Sequence, residues 1–363
     1  MKRMITLLIL FFLPYLLSDS VLAVSPEADL IGVDQFERSQ PKSALDVYGS
    51  LKADEVPDVH ALLGKLWTFL TGQSHDLFAS AIRNGAEILF ISFFSVLCCA
   101  LSDSKILPMI GASATALACV KSALSCTACG KEAMQALSDY SHVLLPCLST
   151  AAAAAGGAWT SASAKYAASA LVMDLMISAE QNIVSPFLSI YAATAIAAQL
   201  TDHPLLISAA GIMKQTVKWG LVILTAGFSI YLSVTGILSG TVDAAAAKAA
   251  KTVISGAIPV VGRILSDASG AILSGIQMLR NGVGVIGMLV ILAVCAAPYL
   301  MLGSHYLIYQ IASGIAASFG DKRIGGVIRA VGDVYGFLLG IVGSMSIMLL
   351  VSIISFMNTV ITG

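Results

Sequence analysis

The sequence predicts an all-α, polytopic helical membrane protein with roughly eight membrane helices and further amphipathic helices at the bilayer face. Three observations predict it. Only 11% of the 363 residues are charged and 57% are hydrophobic, whereas a soluble domain has about 25% charge to cover its surface. Apolar runs near the roughly 20 residues of a bilayer crossing recur through the last three quarters of the chain, and the mean hydropathy is +0.88. Between two such runs lies an island, residues 241–281, with Asp243, Lys248, Lys251, Arg263, Asp267 and Arg280. A soluble core gives no reason for that arrangement. Helices lying along a bilayer face, pinned by basic residues, do.

The N-terminus has the layout of a secretory signal peptide over residues 1–23. Lys2 and Arg3 precede the apolar run 4–17, and Val21 and Ala23 stand at −3 and −1 of a cleavage point after Ala23. An uncleaved first anchor is the alternative, which Pro14 and the short run suit poorly. Residues 24–84 form the only ordinary polar segment, with eight acids against three bases (Arg38, Lys42 and Lys52) between Val24 and His60. Leu62, Leu63, Leu66, Phe69 and Leu70 recur there at helical spacing. About sixty residues are too few for a robust core, so a helical cap on the membrane part or on a partner is expected. An acidic, base-poor segment also translocates readily.

Crossings are expected at 85–101, 106–120, 142–159, within 166–200, and at 217–239, which make a first group over 85–240. A second group over 282–363 has crossings at 282–302, 304–319 and 335–359. The short runs 106–120 and 304–319 could alternatively be re-entrant hairpins. With the N-terminus outside, the 241–281 island and the turn Asp321-Lys322-Arg323 with Arg329 fall inside, where most Lys and Arg of the membrane region then lie. Lys214 and Lys218 fit this layout worst, since it puts them outside. Gly236 with Gly240, and Gly336 with Gly340, have the Gly-x-x-x-Gly spacing that lets two helix backbones approach.

Little in the chain points to bond-making chemistry. His60, His75, His142, His203 and His305 are scattered, with no partner at metal-ligand spacing. There is no nucleophile motif and no G-x-x-x-x-G-K-[ST] loop. No catalytic residue, cofactor or metal is expected, and an enzyme is not. Cys126 and Cys129 have redox spacing without a surrounding βαβ pattern. The net charge of −1 gives no basic field for nucleic acid. Ionised groups inside apolar runs are costly and therefore informative. Asp174 and Glu180, before Pro186, are the candidates for an intramembrane polar path. Six positions separate them, about 240° around a helix, so they do not share a face. The alternative has both acids turned to water and Pro186 starting the span.

In the island, Pro259 marks a junction between helices. Beyond it Ile264, Leu265, Ala268, Ile272, Ile276 and Leu279 form one stripe, and Arg263, Ser266, Asp267, Gly270, Ser274 and Gln277 the opposite one. Arg263 and Asp267, at i and i+4, can pair. The element reads as a passive surface helix or as a docking or gating element, with Pro259, Gly262, Arg263, Ser266 and Asp267 as its informative positions.

The run AIPVVGRILSDA at 257–268, the glycine-rich start of 282–302, and the Gly-Asp-Lys-Arg turn at 320–323 resemble the stage III sporulation protein AE family of endospore-forming bacteria. The likeness is strongest over 210–350. It implies a multi-pass protein of the mother-cell membrane that surrounds the forespore. It also implies a subunit of a secretion-like channel complex needed for forespore development. The partners it implies are other stage III sporulation channel proteins, including a secretion-type ATPase and ring-forming bitopic proteins, together with membrane lipids. No catalytic residue carries over, only the matched positions Pro259, Gly262, Arg263, Ser266 and Asp267. A stand-alone small-molecule or ion permease and a structural membrane scaffold are the competing expectations.

Overall fold

The structure, a computed structural model, describes residues 40–49, 59–101, 107–154, 171–234, 282–318 and 322–359. The Pro259–Asp267 block and the Gly236/Gly240 pair lie outside the described residues. Among those described there is no strand. A short helix, α1 (Lys42–Tyr48), precedes six long ones: α2 (Val59–Ala100), α3 (Leu107–Ala154), α4 (Leu171–Thr201), α5 (Pro204–Val234), α6 (Gly282–Ser318) and α7 (Lys322–Thr359). Helix α1 packs against α2 and α6, burying Ala44, Val47 and Tyr48, so part of the acidic N-terminal segment does cap the bundle.

Five helices (α2, α3, α4, α6 and α7) are long and apolar enough to cross a membrane. The described residues therefore hold five such helices, not eight. Two merged pairs account for two of the missing three, and the third, expected at 217–239, begins on α5, which is not among the five. The runs 106–120 and 142–159 share the 48-residue helix α3, and 282–302 with 304–319 share the 37-residue helix α6. Neither is a re-entrant hairpin. The polar stretch of α3 with Lys121, Lys131, Glu132 and Gln135 looked like a connection, yet these residue types favour helix. At about 1.5 Å per residue α3 is about 72 Å long, more than twice a hydrocarbon core of about 30 Å, and an unbroken helix crosses once. The same continuity carries α2 through the expected boundary at 84/85.

Residue pairs fix the helix directions. Ser95 against Gly111 and Asn84 against Ser122 make α2 and α3 antiparallel. Gln199 against Gly326, Tyr191 against Asp333 and Glu180 against Ser344 do the same for α4 and α7. Ser313 with Gly325, Tyr306 with Gly336 and Tyr299 with Ser346 make α6 and α7 antiparallel. Ser122 with Tyr335 and Gly130 with Leu338 show α3 parallel to α7. Helices α4 and α5 reverse through Asp202, which takes the left-handed conformation (φ 52°), tolerated by a short polar side chain. Pro204 then opens α5, where its missing N–H costs nothing. The six long helices thus alternate in direction. The starts of α2, α4 and α6 share one end of the bundle with the ends of α3, α5 and α7.

The start of α2, the end of α5 and the start of α6 therefore stand at one end of the bundle. Helix α7 is the centre: 89% of its most apolar stretch is buried, against 28% for α2. The α2–α3 hairpin closes where a Cβ on Gly111 would stand 1.5 Å from Ser95 Oγ and 2.7 Å from Ser95 Cβ. A short side chain cannot swing away from that.

Two outcomes are expected. Gly111→Val should destabilise the bundle by about 1–3 kcal/mol, read as a lowered unfolding midpoint in detergent. Reporters fused after Leu101, Asp202 and Ser318 should report one side of the membrane, and those after Ala154, Val234 and Thr359 the other. A reporter after Ser318 that agrees with one after Val234 would contradict the alternation.

Candidate functional site

Pro186 shapes the first polar site. A proline within a helix offers no N–H and crowds the carbonyl four residues earlier. The chain absorbs this in a π-helical turn over Glu180–Val184, in which the Ser185 N–H donates to the Glu180 carbonyl. Such one-residue widenings occur often at functional sites. Here the widened turn presents Glu180 to α7. Its side chain is fully buried, one carboxyl oxygen meets Ser344 Oγ, and the other has no hydrogen-bond partner. Asp174 goes the other way. It is half exposed and lies 3.4 Å from His142 Nε2 on α3. The two acids expected to mark one path are not brought together, and Pro186 does not start the span, because α4 runs through it.

The second site is centred on Asp333 of α7. Lys214 Nζ donates to its Oδ2 at 2.6 Å and the Tyr191 hydroxyl donates to the same oxygen at 3.1 Å. Gln310 Nε2 donates to Oδ1 at 3.4 Å. One carboxylate thus ties α4, α5, α6 and α7 together. Lys214, the residue that fitted the expected layout worst, is here the partner of a largely buried acid. The missed signal was Asp333 itself, an acid in an apolar stretch two residues before the expected crossing at 335–359.

A third cluster lies on the opposite side of α7. Asn84 Nδ2 is 3.3 Å from His305 Nε2 and 3.5 Å from Ser122 Oγ, and the Tyr335 hydroxyl donates to that Ser122 Oγ at 3.1 Å. His305 Nδ1 is 2.9 Å from the Met301 carbonyl. A carbonyl only accepts, so Nδ1 carries a hydrogen and, in the neutral ring, Nε2 accepts from Asn84. The His305, Tyr309 and Tyr335 rings pack edge to face around it, with Tyr309 and Tyr335 at 4.9 Å and 90°. Residues from α2, α3, α6 and α7 thus meet in one polar and aromatic cluster that residue spacing alone did not reveal.

The remaining expected positions are simpler. Gly336 lies against the Tyr306 ring, where a Cβ would come within 2.9 Å, and Gly340 is buried. Gly336 therefore lets α6 pack closely on α7. Cys126 and Cys129 are free thiols on α3. Among the described residues no group of three His, Cys, Asp or Glu side chains stands close enough to hold a metal ion.

Polar groups turned inward and apolar groups outward, over helices of crossing length, describe a membrane-embedded bundle. Against known proteins, the model of the family described as stage III sporulation protein AE matches residues 80–359. The chain belongs to the stage III sporulation protein AE family. A relative named stage III sporulation protein AE, from Bacillus subtilis (strain 168), is 26% identical over 193 residues, which is 53% of this chain. The chain spans about half the length of that relative, 48%. No solved structure matches. The family match covers α3 to α7 entirely and the second half of α2, so all three polar sites fall within it.

If Lys214 and Asp333 pair in solution, the two are energetically coupled. A double-mutant cycle of Lys214→Met and Asp333→Asn should give a coupling of about 1 kcal/mol, reduced by the half-exposed lysine. Strictly additive unfolding midpoints would show that the pair contributes nothing.

Proposed function

We propose that this chain is an integral membrane subunit of a sporulation channel or export-like complex between mother cell and forespore, needed for forespore development. The observation that carries the proposal is membership of the stage III sporulation protein AE family over residues 80–359, on helices of crossing length. The proposed location is the mother-cell membrane around the forespore, with a multi-pass topology. The proposed partners are other stage III sporulation channel proteins, among them a secretion-type ATPase and ring-forming bitopic proteins, and membrane lipids, but no nucleic acid. The subunit acts by forming part of a membrane passage and not as an enzyme. Energy for any transport comes from a gradient or from a partner.

Within this reading the 241–281 island is the docking element, with Arg263 as its test position. Arg263→Ala is expected to weaken co-purification of either the ATPase or the ring-forming protein. Which of the two is lost reports the side of the membrane on which the island lies. Unchanged recovery of both would count against docking.

A stand-alone permease is the second reading, favoured by the buried Glu180 carboxyl. Purified protein in liposomes separates the two: substrate flux with no partner present supports the permease. A structural scaffold is the third. Normal assembly with arrested forespore development in Asp174→Asn or Glu180→Gln refutes it.

A further inference from the structure

Counting hydrogens at Glu180 bears on its protonation state. Ser344 Oγ touches two oxygens: a carboxyl oxygen of Glu180 and the Ile341 carbonyl at 2.9 Å. A hydroxyl has one hydrogen, and a backbone carbonyl can only accept. Both contacts are fully satisfied when Ser344 gives its hydrogen to Ile341 and Glu180 Oε1 supplies the hydrogen between the two side chains, which makes Glu180 a carboxylic acid. Its Oε2 is then the acid's carbonyl-type oxygen, and it has no partner. A lone unpaired C=O is a modest cost, whereas a buried carboxylate with one donor and no cation is a large one.

No charge on the surrounding helices relieves that cost. The π-helical turn packs against α3, α5 and α7. On α3, His142 is taken by Asp174, and Lys131 lines a groove of about 500 Å³ with Gln181 and Ser185. On α5, Lys214 is taken by Asp333 of α7. Lys218 of α5 and Glu132 and Asp139 of α3 make no ion pair with Glu180 among the described residues.

We propose that Glu180 is a proton-binding site: one exchangeable proton held between the π-helical turn of α4 and the central helix α7, donated to Ser344. Among the described residues the hydrogen-bonded path from Glu180 runs through Ser344 to the Ile341 carbonyl, a dead end inside α7, so release has α4 and α7 part and admit water. Proton occupancy and the closed α4–α7 contact are thereby linked. A carboxylate left behind favours the open form, because only there does water solvate it. The inference stands whichever functional reading holds.

Infrared spectroscopy of the full-length protein tests it, at pH 7 in a detergent without ester groups. A carbonyl band of a protonated carboxylic acid should be present. It should shift with ¹³C-glutamate labelling but not with ¹³C-aspartate, which needs no variant. Glu180→Gln should lose the band completely, and Asp174→Asn should leave it intact. Ser344→Ala should move the band without removing it, since the acid loses its acceptor. No protonated-acid band, or one that follows labelled aspartate, overturns the proposal. A band unmoved by Ser344→Ala overturns Ser344 as the acceptor. A band abolished by sodium chloride but not by choline chloride makes the site a cation site and also overturns it.

Discussion

A polar group that this bundle buries is costly unless it finds a partner within the chain, because the apolar surroundings supply none. That constraint is concentrated on α7. Three of its side chains, Asp333, Tyr335 and Ser344, each reach a different neighbour: Lys214, Ser122 and Glu180. Asp333 and Tyr335 are two residues apart and so point about 200° apart around the helix. One set of contacts gathers α4, α5 and α6, and the other gathers α2, α3 and α6 through Asn84 and His305. Dispersion and small-residue packing bring apolar helices together with little preference for register. These directed contacts are what specify which helix sits beside α7, and at what height.

The fold class was legible because it depends on sums. Low charge and long apolar runs report burial in lipid wherever the helix ends fall. The number of helices was less legible because it depends on breaks, and a polar stretch is not a break. Lys121 to Gln135 sit comfortably in a helix, and Gly303 and Ser304 do not interrupt α6. Proline misled in the other direction. Pro186 looked like a beginning, yet a π-helical turn absorbs it. Pro298 lies inside α6 as well, the kind of position that bilayer helices accept when neighbours satisfy the freed carbonyl.

For the polar sites the division is similar. Glu180 was visible as an acid in an apolar run, but its partner Ser344 lies 164 residues away and has no distinctive pattern around it. Asp174 looked equivalent and proved different, because the two acids leave α4 on different faces. Lys214 drew attention by violating the expected charge distribution. The violation had a local cause, an ion pair to a residue 119 positions later. A charge that fits a topology badly is thus also a charge whose partner should be sought. Gly336 does stand at a close approach, against the Tyr306 ring of α6, because helix contact is a local steric demand that glycine can meet.

Helix direction couples the remaining features. The turn at Asp202 faces the start of α7, where Arg323 Nη2 lies 3.8 Å from Asp202 Oδ2. The α2–α3 connection stands at the same end. Lys322, Arg323 and Arg329 stand at that end, in the first turns of α7. The start of α2 and the helix ends at Val234 and Gly282 stand together at the other end. The basic residues between Val234 and Gly282 belong to a connection anchored at that other end. Both ends of the bundle are thus associated with bases, so charge counting alone gives no firm orientation.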